Sequence, residues 1–424
     1  MALDLNEITT IPTPAPSPVS TSAPAGWRIV RFGDVVRNVK TTVVPEESGL
    51  ERYAAGEHMD TDNLHIWRWG VIGDGYLGPA FHRKFVKGQV LYGSRRTYLR
   101  KVAVANFDGI CANTTFVVEP SGDDLLPNLL PFIMQTESFT QHSIKQSKGS
   151  VNPYINWSDL AWYEFALPPM DEQRRIADIL WAADETVSKF AVVVDALVTA
   201  EDTYTREQFT ELVQGVSGHV ATLMTLGSVL SYASDGPFGS KLKTEHYAVE
   251  GARVIRLQNI GDGEFLDDDK AYISDAYYRD LSRYSLQPKD ILVAGLGDET
   301  HPVGRVCQVP QWLGPAVNKA DCFCLRVDES IAEAKYILYF LNSMGARQQV
   351  AQVSQGTTRL RVNVTNLKTI LVPVPDRTLQ LRVCKVLDEL AGRSIQLRTD
   401  VAHKKVLVKT LRELLLNRKE TSSV

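Results

Sequence analysis

Two long stretches of the chain carry apolar residues at alternating three- and four-residue steps, the spacing of a coiled-coil helix. The first, residues 171–213, contains no proline or glycine. Its apolar stripe comprises Ile176, Leu180, Ala183, Val187, Phe190, Val194 and Leu197. The second, residues 376–418, has a polar break at Ser394 and Lys404. Its stripe comprises Val383, Leu387, Leu390, Leu397, Val401, Val408 and Leu411. Each helix would be roughly 65 Å long at 1.5 Å per residue. Ordinary core helices are usually shorter and less periodic, so the pattern predicts two helices packed antiparallel against each other.

The two helical stretches belong to an internal repeat. Ser147-Lys148-Gly149-Ser150 is matched 207 residues later by Ser354-Gln355-Gly356-Thr357, and the same offset relates Pro168 to Pro375. Near the start of each copy, residues 32–36 resemble residues 226–230 at an offset of 194. The second copy is therefore longer, through insertions inside its globular part. A duplicated unit indicates two similar but non-identical surfaces in one molecule.

Short β-type runs precede each long helix, for example residues 89–92, 115–118, 253–257 and 290–293. Together with the helical patterns they predict a mixed α/β protein of the α+β class. We expect two pseudo-symmetric globular domains joined by two long antiparallel coiled-coil helices. The predicted segments are a disordered Pro/Ser/Thr-rich tail (1–25), a first domain (26–168), a first helix (171–213), a linker (214–222), a second domain (223–375), a second helix (376–418) and a C-terminal tail (419–424).

The composition is that of an ordinary globular protein. Of 424 residues, 44% are hydrophobic and 23% are charged, with a formal net charge of −4, which fits two domains with substantial cores. No apolar run is long enough to span a membrane. The five cysteines are scattered and odd in number, so we expect no disulfide framework and a cytoplasmic location. Mild acidity argues weakly against nucleic-acid binding, so the local charge has to be inspected.

The sequence contains no convincing catalytic motif. A phosphate-binding loop and a paired-histidine metal site are both missing. Residues 152–154 lack the second proline and the glycine-rich cofactor loop of amino-methyltransferases, and Asp268 with Lys270 matches only the end of a nuclease motif. Cys322 and Cys324 have no second ligand pair, so a buried strand explains them better than zinc does. We therefore predict no enzyme activity, no metal and no cofactor in this chain.

The strongest binding signal lies between Gly78 and Phe107, where no residue is acidic. Lysines and arginines alternate there with Tyr92 and Tyr98, a combination that suits phosphate neutralisation and contacts with base edges. A solvated basic face explains the pattern equally well. The candidate DNA-binding residues of this stretch are Arg95, Arg96, Tyr98, Arg100 and Lys101.

The second copy offers a turn followed by side chains that can pair with guanine and adenine edges. These candidates are Phe238, Ser240, Lys241, Lys243, Arg256, Gln258 and Asn259. Further candidates near the ends of the two domains are Lys145, Lys148, Arg359 and Arg361. Lysines near a domain end are more often ordinary surface residues than ligand contacts.

After Gly26 the chain resembles, almost throughout, the specificity subunit of type I restriction–modification systems. The most specific marks are the run Leu167-Pro168-Pro169-Met170-Asp171-Glu172-Gln173-Arg174-Arg175-Ile176 and its counterpart from Val374-Pro375 to Gln380 and Val383. Residues 89–101 and 236–240 are similar to target-recognition-domain sequences. The chain departs from the family at the second boundary, where Arg377-Thr378-Leu379 replaces Met170-Asp171-Glu172 and leaves only Gln380 of the usual Glu-Gln pair.

The resemblance implies a non-catalytic subunit for phage defence. Each of two oppositely oriented target-recognition domains would read one half of a bipartite, asymmetric site in double-stranded DNA, and the helices would fix the spacer. The implied partners are two methyltransferase (modification) subunits that bind S-adenosylmethionine, and restriction subunits that translocate and cleave DNA with ATP and Mg. The residues implied for partner docking are Gln173, Ile176, Gln380 and Val383.

A hypothesis from a different class is a coiled-coil scaffold whose globular domains bind proteins and not DNA. Salt titration distinguishes the two hypotheses, because affinity that depends on phosphate contacts falls steeply as salt rises. A self-contained methyltransferase or nuclease is disfavoured, since the cofactor loop and the acidic metal cluster are missing.

Overall fold

The computed structural model describes residues 23–214 and 220–417. Most of the predicted N-terminal tail, most of the predicted linker and the predicted C-terminal tail lie outside these residues. The described residues fall into two compact units, one within Met1–Phe190 and Asp400–Val424 and the other within Ala191–Thr399. Each unit thus contains one sheet-rich domain and part of each long helix, whereas the predicted segments kept each helix whole.

The first unit is built on two four-stranded sheets and a two-stranded pair. Its elements are β1 (Arg28–Arg31), α1 (Phe32–Val35), β2 (Val36–Val39), β3 (Arg52–Ala54), β4 (Gly70–Val71), β5 (Phe81–Phe85), β6 (Val90–Gly93), β7 (Val102–Val104), β8 (Gly109–Ala112), β9 (Thr115–Pro120), α2 (Leu130–Met134), α3 (Glu137–Lys145), α4 (Trp157–Ala161), β10 (Glu164–Leu167) and the start of α5 (Met170–Gln214). The sheet orders are β2-β9-β6-β7 and β4-β3-β8-β5, and β1 pairs with β10. The apolar strand β6 is buried on both faces, since Val90 and Tyr92 pack into one core cluster and Leu91 packs into another.

The second unit repeats this plan. Its elements are β11 (Thr222–Thr225), β12 (Leu230–Ser234), β13 (Tyr247–Ala248), β14 (Ala252–Ile255), β15 (Tyr272–Ile273), α6 (Asp275–Asp280), β16 (Ile291–Ala294), β17 (Leu296–Gly297), β18 (Val306–Gln308), β19 (Ala316–Asn318), β20 (Cys322–Val327), α7 (Ala334–Asn342), α8 (Met344–Gln352), β21 (Leu360–Arg361), α9 (Val364–Leu367), β22 (Leu371–Val374) and the start of α10 (Arg377–Leu416). The sheet orders are β12-β20-β16-β18 and β13-β15-β14-β19, with the pairs β11–β22 and β17–β21.

The repeat extends to individual hydrogen bonds. The Phe32 N–H donates to the Tyr163 carbonyl at 2.7 Å, and the corresponding Leu226 N–H donates to the Ile370 carbonyl at 2.8 Å. The one parallel pairing inside each second sheet also recurs, as β3 with β8 and as β14 with β19. The predicted fold class, with two related domains of mixed helix and sheet and two long helices, is confirmed.

Within each unit the two long helices share a hydrophobic core. In the first unit, Ile176 and Leu180 of α5 are buried in the same cluster as Leu415 of α10. In the second unit, Phe209 near the end of α5 is buried together with Val383 near the start of α10. The beginning of one helix therefore packs with the end of the other in each unit, which is an antiparallel arrangement.

The two polar residues that interrupt the apolar stripe of the second helix, Ser394 and Lys404, are accommodated differently. Ser394 is buried despite its hydroxyl group. The Lys404 ammonium group lies 4.7 Å from the ring centroid of Phe190, a cation–π contact that lets a charged residue pack beside an apolar stripe. In the described part of the chain, no helix is both long enough and apolar enough to cross a bilayer.

Candidate nucleic-acid interface

The basic segment of the first domain forms a turn between β6 and β7. Arg96 and Arg100 flank a short helical turn, Thr97–Leu99, and both have a left-handed backbone, with φ of 49° and 52°. The backbone of a residue other than glycine is strained in this conformation, so the conformation persists only where surrounding contacts hold it. The Arg96 N–H donates to the Pro153 carbonyl at 2.6 Å, which ties the turn to a second loop.

That second loop is a hairpin closed by Lys148 and Tyr154, whose backbones exchange hydrogen bonds of 2.8 and 2.9 Å. Gly149 turns the hairpin with φ of +92°, which glycine adopts without strain. The hydroxyl groups of Thr97 and Ser147 are hydrogen-bonded at 2.9 Å and join the hairpin to the basic turn. We call residues 94–101 and 147–154 the first loop pair.

The first loop pair brings several predicted residues together at the surface. Arg95, Arg96 and Tyr98 are exposed on the turn, and Lys148 is exposed on the hairpin. Tyr154, which the sequence analysis considered only as part of a catalytic motif, is also exposed and pairs through its backbone with Arg95. Two aromatic rings among cationic side chains suit stacking on bases and neutralisation of phosphates.

Two predicted residues of this turn act inside the protein instead. The Arg100 side chain is only 13% exposed, and it donates to Asp62 at 2.7 Å, to Glu137 at 2.7 Å and to the Gln135 carbonyl at 3.0 Å. Lys101 donates from Nζ to the Gly56 carbonyl at 2.5 Å. Both side chains thus help to shape the turn, and their contact with DNA stays a prediction.

The other cationic candidates of this unit differ in how they are held. Lys145 is exposed at the end of α3, whereas Lys148 donates to Asp159 at 2.8 Å. Tyr92, which the basic pattern had included, lies in the core with its hydroxyl group hydrogen-bonded to Ser143 at 2.5 Å. Burial raises the pKa of Tyr92 to about 12, and the ring has no access to a ligand.

The second unit has an equivalent loop pair with different chemistry. Strand β17 pairs with β21, and Gln355 exchanges two backbone hydrogen bonds of 2.8 Å with Arg361. Gly356 turns this hairpin with φ of +106°. We call residues 295–304 and 354–361 the second loop pair. Of its predicted residues, Arg359 is exposed and Arg361 is paired with Asp321 at 2.8 Å.

An acidic turn in the second loop pair was missed by the sequence analysis. The Asp298 carboxylate accepts hydrogen bonds from the Thr300 hydroxyl at 2.7 Å and from the His301 N–H at 2.8 Å. These bonds, led by the one from Thr300, lower the pKa of Asp298 to about 2, so the second turn carries a hydrogen-bond acceptor at the position of Thr97, which lies between the arginines of the first loop pair. Carboxylates accept hydrogen bonds from the amino group of cytosine. Aligning β6 with β16, at an offset of 201, would have revealed this equivalence.

The remaining candidates of the second unit divide into exposed and internal residues. Phe238, Ser240, Lys241 and Lys243 are exposed on the turn at residues 236–243, and Gln258 is also exposed. Gly236 lets this turn approach residues 318–319 closely, since an added Cβ would lie 2.3 Å from the Asn318 carbonyl oxygen. Arg256 is half-buried and donates from Nε to Asp269 at 2.6 Å.

Asn259 is fully buried. Its amide nitrogen donates to the Leu266 and Asp269 carbonyls at 2.9 and 2.8 Å, and its amide oxygen accepts from the Arg256 N–H at 2.9 Å. Every hydrogen-bonding atom of this side chain therefore has a partner inside the domain. In this structure the Asn259 side chain closes a loop, and its contact with adenine stays a prediction.

The four residues implied for partner docking are all buried within their own units. Gln173 accepts from the Leu126 N–H at 2.8 Å and donates to the Asp124 and Pro168 carbonyls at 2.8 and 2.9 Å. Gln380 accepts from the Glu333 N–H at 2.8 Å and donates to the Pro375 carbonyl at 2.9 Å. Ile176 and Val383 lie in the cores. These side chains fasten each long helix to its own domain, and their direct contact with a partner stays a prediction.

The fold and the paired loops define a class of protein in which one scaffold is used twice to display two different polar surfaces. Residues 24–189 match the family model described as the type I restriction modification DNA specificity domain. In the described residues, no group of three or more His, Cys, Asp or Glu could hold a metal ion.

Relatives with similar sequences carry the same designation. The chain is 28% identical over 171 residues to the EcoDI specificity subunit of a type I restriction enzyme from Escherichia coli. That match covers 40% of this chain and only 38% of the relative. The chain is also 20% identical over 394 residues to the MjaVIII specificity subunit from Methanocaldococcus jannaschii, with 83% of each chain covered.

Solved structures agree in fold. A chain from a structural study of complex assembly and conformational transition in the type I R-M system matches with a TM-score of 0.55 at 19% identity, covering 93% of this chain and 98% of that one. The type I restriction–modification S subunit from M. genitalium matches with a TM-score of 0.56 at 15% identity, covering 95% and 99%. The chain is thus similar to the specificity subunits of type I restriction–modification systems, which confirms the resemblance predicted from the sequence. The predicted non-catalytic class agrees with the names of these relatives.

Proposed function

We propose that this chain is the DNA-recognition subunit of a type I restriction–modification complex. Each sheet-rich domain reads one half of a bipartite, asymmetric site in double-stranded DNA through its loop pair, and the chain itself catalyses no reaction. In this proposal the complex acts in the cytoplasm, and its S-adenosylmethionine, ATP and Mg bind to the partner subunits.

One observation carries the proposal: the same pair of loops is built twice on the same strands but displays different side chains. The first loop pair exposes Arg95, Arg96 and Tyr98, and the second contains Asp298 and Arg359. Arginine pairs with guanine and carboxylates pair with cytosine in the major groove. Two unlike surfaces on related domains fit two unlike half-sites, which a symmetric homodimer cannot read.

The proposed partners are two methyltransferase subunits and restriction subunits. Because Gln173, Ile176, Gln380 and Val383 are buried, any docking near the helix starts uses their exposed neighbours. Asp171 and Arg174 form an exposed ion pair at the start of α5. The corresponding positions of the second copy are Thr378 and Leu381, so we expect the two helix starts to contact partners differently.

A domain exchange tests the assignment of half-sites. The chain is expressed with its methyltransferase subunit, and the methylated motif is read by sequencing the methylome. Exchanging residues 224–372 for those of a related subunit should change one half of the motif and leave the other half and the spacer intact. The matched exchange of residues 26–168 should change the opposite half. A motif that survives the exchange of residues 224–372 contradicts the proposal.

The scaffold hypothesis is tested by salt. The complex is titrated with its DNA site and binding is followed by fluorescence anisotropy. If the complex binds DNA, its affinity falls steeply as salt rises, and a plot of log affinity against log salt has a slope of roughly −0.9 for each neutralised phosphate. The double substitution of Arg95 and Arg96 to Met should make the slope shallower by about one for each phosphate that these arginines no longer neutralise. The control Lys405→Met, an exposed change on α10, should leave the slope unchanged. A flat salt response in the unmodified complex favours the scaffold.

A further inference from the structure

The last turns of α10 contact the first domain through charged groups. The Arg412 side chain is 4% exposed and donates from Nη1 to the Gln135 Oε1 at 2.8 Å. Its Nε and Nη2 make no hydrogen bond within the described residues. The neighbouring Glu413 carboxylate accepts from the Glu137 N–H at 2.9 Å, at the first residue of α3. The Lys409 ammonium group lies 4.0 Å from the Glu137 carboxylate.

The same two residues of the first domain hold the turn of the first loop pair. The Glu137 carboxylate and the Gln135 main-chain carbonyl both accept from the Arg100 guanidinium group, at 2.7 and 3.0 Å. Arg100 ends the turn that exposes Arg95, Arg96 and Tyr98, and it does so in a left-handed conformation. The contacts therefore run from α10 through Glu137 and Gln135 to the strained end of the turn.

The second unit shows why this support is needed. Strand β7 corresponds to β18 at an offset of 204, so the counterpart of Arg100 is Gly304, with φ of +80°. Glycine adopts this conformation without a Cβ penalty, whereas arginine needs outside contacts to stay there. At the offset of 207, Glu137 corresponds to Met344 and Arg412 to Thr205. The Glu137–Arg100 ion pair, which supports the turn that ends in arginine, therefore has no counterpart where the turn ends in glycine, although Lys409 and Glu413 correspond to the charged residues Asp202 and Arg206.

The charges themselves indicate a positioning role. Lys409, Arg412 and Arg100 face the carboxylates of Asp62, Glu137 and Glu413, so the set is balanced. Replacing a complete buried ion pair by apolar side chains of similar volume is often neutral or stabilising for the fold, whereas removing one partner alone is destabilising. A buried arginine with two unbonded nitrogens is therefore poorly explained by stability alone.

We infer that Lys409, Arg412 and Glu413 at the end of α10 are positioning residues for the first loop pair. The end of α10 thereby determines how well the first domain distinguishes its DNA half-site from other sequences. The part of this inference that concerns discrimination rests on the proposed function, whereas the part that concerns the order of the turn does not.

The order of the turn is tested by hydrogen exchange in the full-length chain. The variant Arg412→Met, Glu413→Leu removes both contacts while keeping the charge balance and helix-forming residues. We expect amides of the turn, including those of Arg96 and Arg100, to exchange at least tenfold faster, and the second loop pair to be unaffected. Lys405→Met, an exposed change on the same helix, should leave the turn unchanged. The single variant Arg412→Lys keeps a cationic donor, and its turn should retain most of the protection against exchange. Unchanged exchange in the turn, or equal acceleration throughout the first unit, overturns the inference.

Recognition is tested in the complex with duplexes that carry one substituted base pair in either half-site. The double variant should lose at least tenfold of its discrimination at the half-site that survives exchange of residues 224–372, and none at the other. Equal loss at both halves, or none at either, overturns the positioning role. If the unmodified complex fails to discriminate at either half, the proposed function itself fails, and the exchange experiment still decides whether α10 orders the turn.

Discussion

Replacing Gln173 by methionine tests whether this residue fastens α5 to its domain. Methionine keeps the length of the side chain and removes its amide. The Leu126 N–H and the carbonyl oxygens of Asp124 and Pro168 would then lose their partner in a buried site. Each hydrogen bond contributes about 1 kcal/mol net, and buried groups left without a partner cost at least as much. We therefore expect Gln173→Met to lower the free energy of unfolding of the first unit by about 3 kcal/mol.

The repeat supplies a matched comparison. Gln380 makes two such bonds where Gln173 makes three, so Gln380→Met should cost about 2 kcal/mol in the second unit. For domains of this size, about 1 kcal/mol corresponds to roughly 2–4 °C in the melting temperature. Differential scanning calorimetry of the chain should show a larger downward shift for Gln173→Met than for Gln380→Met. Arg174→Met, next to Gln173 but exposed, should shift neither transition.

Two results would refute this reasoning. One is a Gln173→Met chain that melts at the temperature of the unmodified chain. The other is a variant with unchanged stability that no longer assembles with a methyltransferase subunit. The second result would support the direct docking role that the sequence analysis gave to Gln173, because a residue at a partner interface affects assembly without affecting the isolated chain.

Three further predictions concern buried charges and thiols. The Asp290 carboxylate is 1% exposed and accepts hydrogen bonds from Arg326 at 2.8 and 2.7 Å, so Arg326→Met leaves it without its cation. Urea unfolding should show a loss of about 3–5 kcal/mol in the free energy of unfolding. Unchanged stability contradicts the pairing. Burial acts to raise the pKa of Glu137, but hydrogen bonds from Gln141 and Arg100 lower it overall. Its ionised form therefore stabilises the first unit above pH 4.5, and this stabilisation is lost as the pH falls through the lower folded pKa. Thermal melts should show a shallower acid decline for Glu137→Gln, and an unchanged decline argues against this. Burial also raises the pKa of all five cysteines. A thiol reagent at pH 8 should therefore label them only after the chain unfolds. Rapid labelling of one thiol in the native chain refutes their burial.

The local patterns predicted the elements better than they predicted the site. The heptad spacing indicated the helices now observed as Met170–Gln214 and Arg377–Leu416, because helical periodicity is written in consecutive residues. The same spacing could not show that Ser394 is buried or that Lys404 lies over Phe190. Those outcomes depend on which residue of the opposite helix lies alongside.

The basic stretch illustrates the limit for the site. Composition treated Arg95, Arg96 and Arg100 alike, yet Arg100 meets Asp62 and Glu137, which lie 38 and 37 residues away in sequence. Asn259 likewise finds its partners across a folded loop. A list of polar side chains cannot distinguish a residue that faces DNA from one that satisfies a buried backbone group, because both require the same donors and acceptors.

The sequence by itself determined that the chain is a duplicated unit with two long amphipathic helices and that it resembles a family of specificity subunits, since repeats, periodicity and motifs are properties of the order of residues. Only the tertiary structure decided which polar residues reach the surface. It joined Glu137 of α3 to Glu413 of α10, which are 276 residues apart, and it formed an acidic turn in the second copy where the first copy has a basic turn. The physical reason is that hydrogen bonds and ion pairs form between groups that are close in space. Groups far apart in the sequence come close only when both ends of the helices have packed onto their domains.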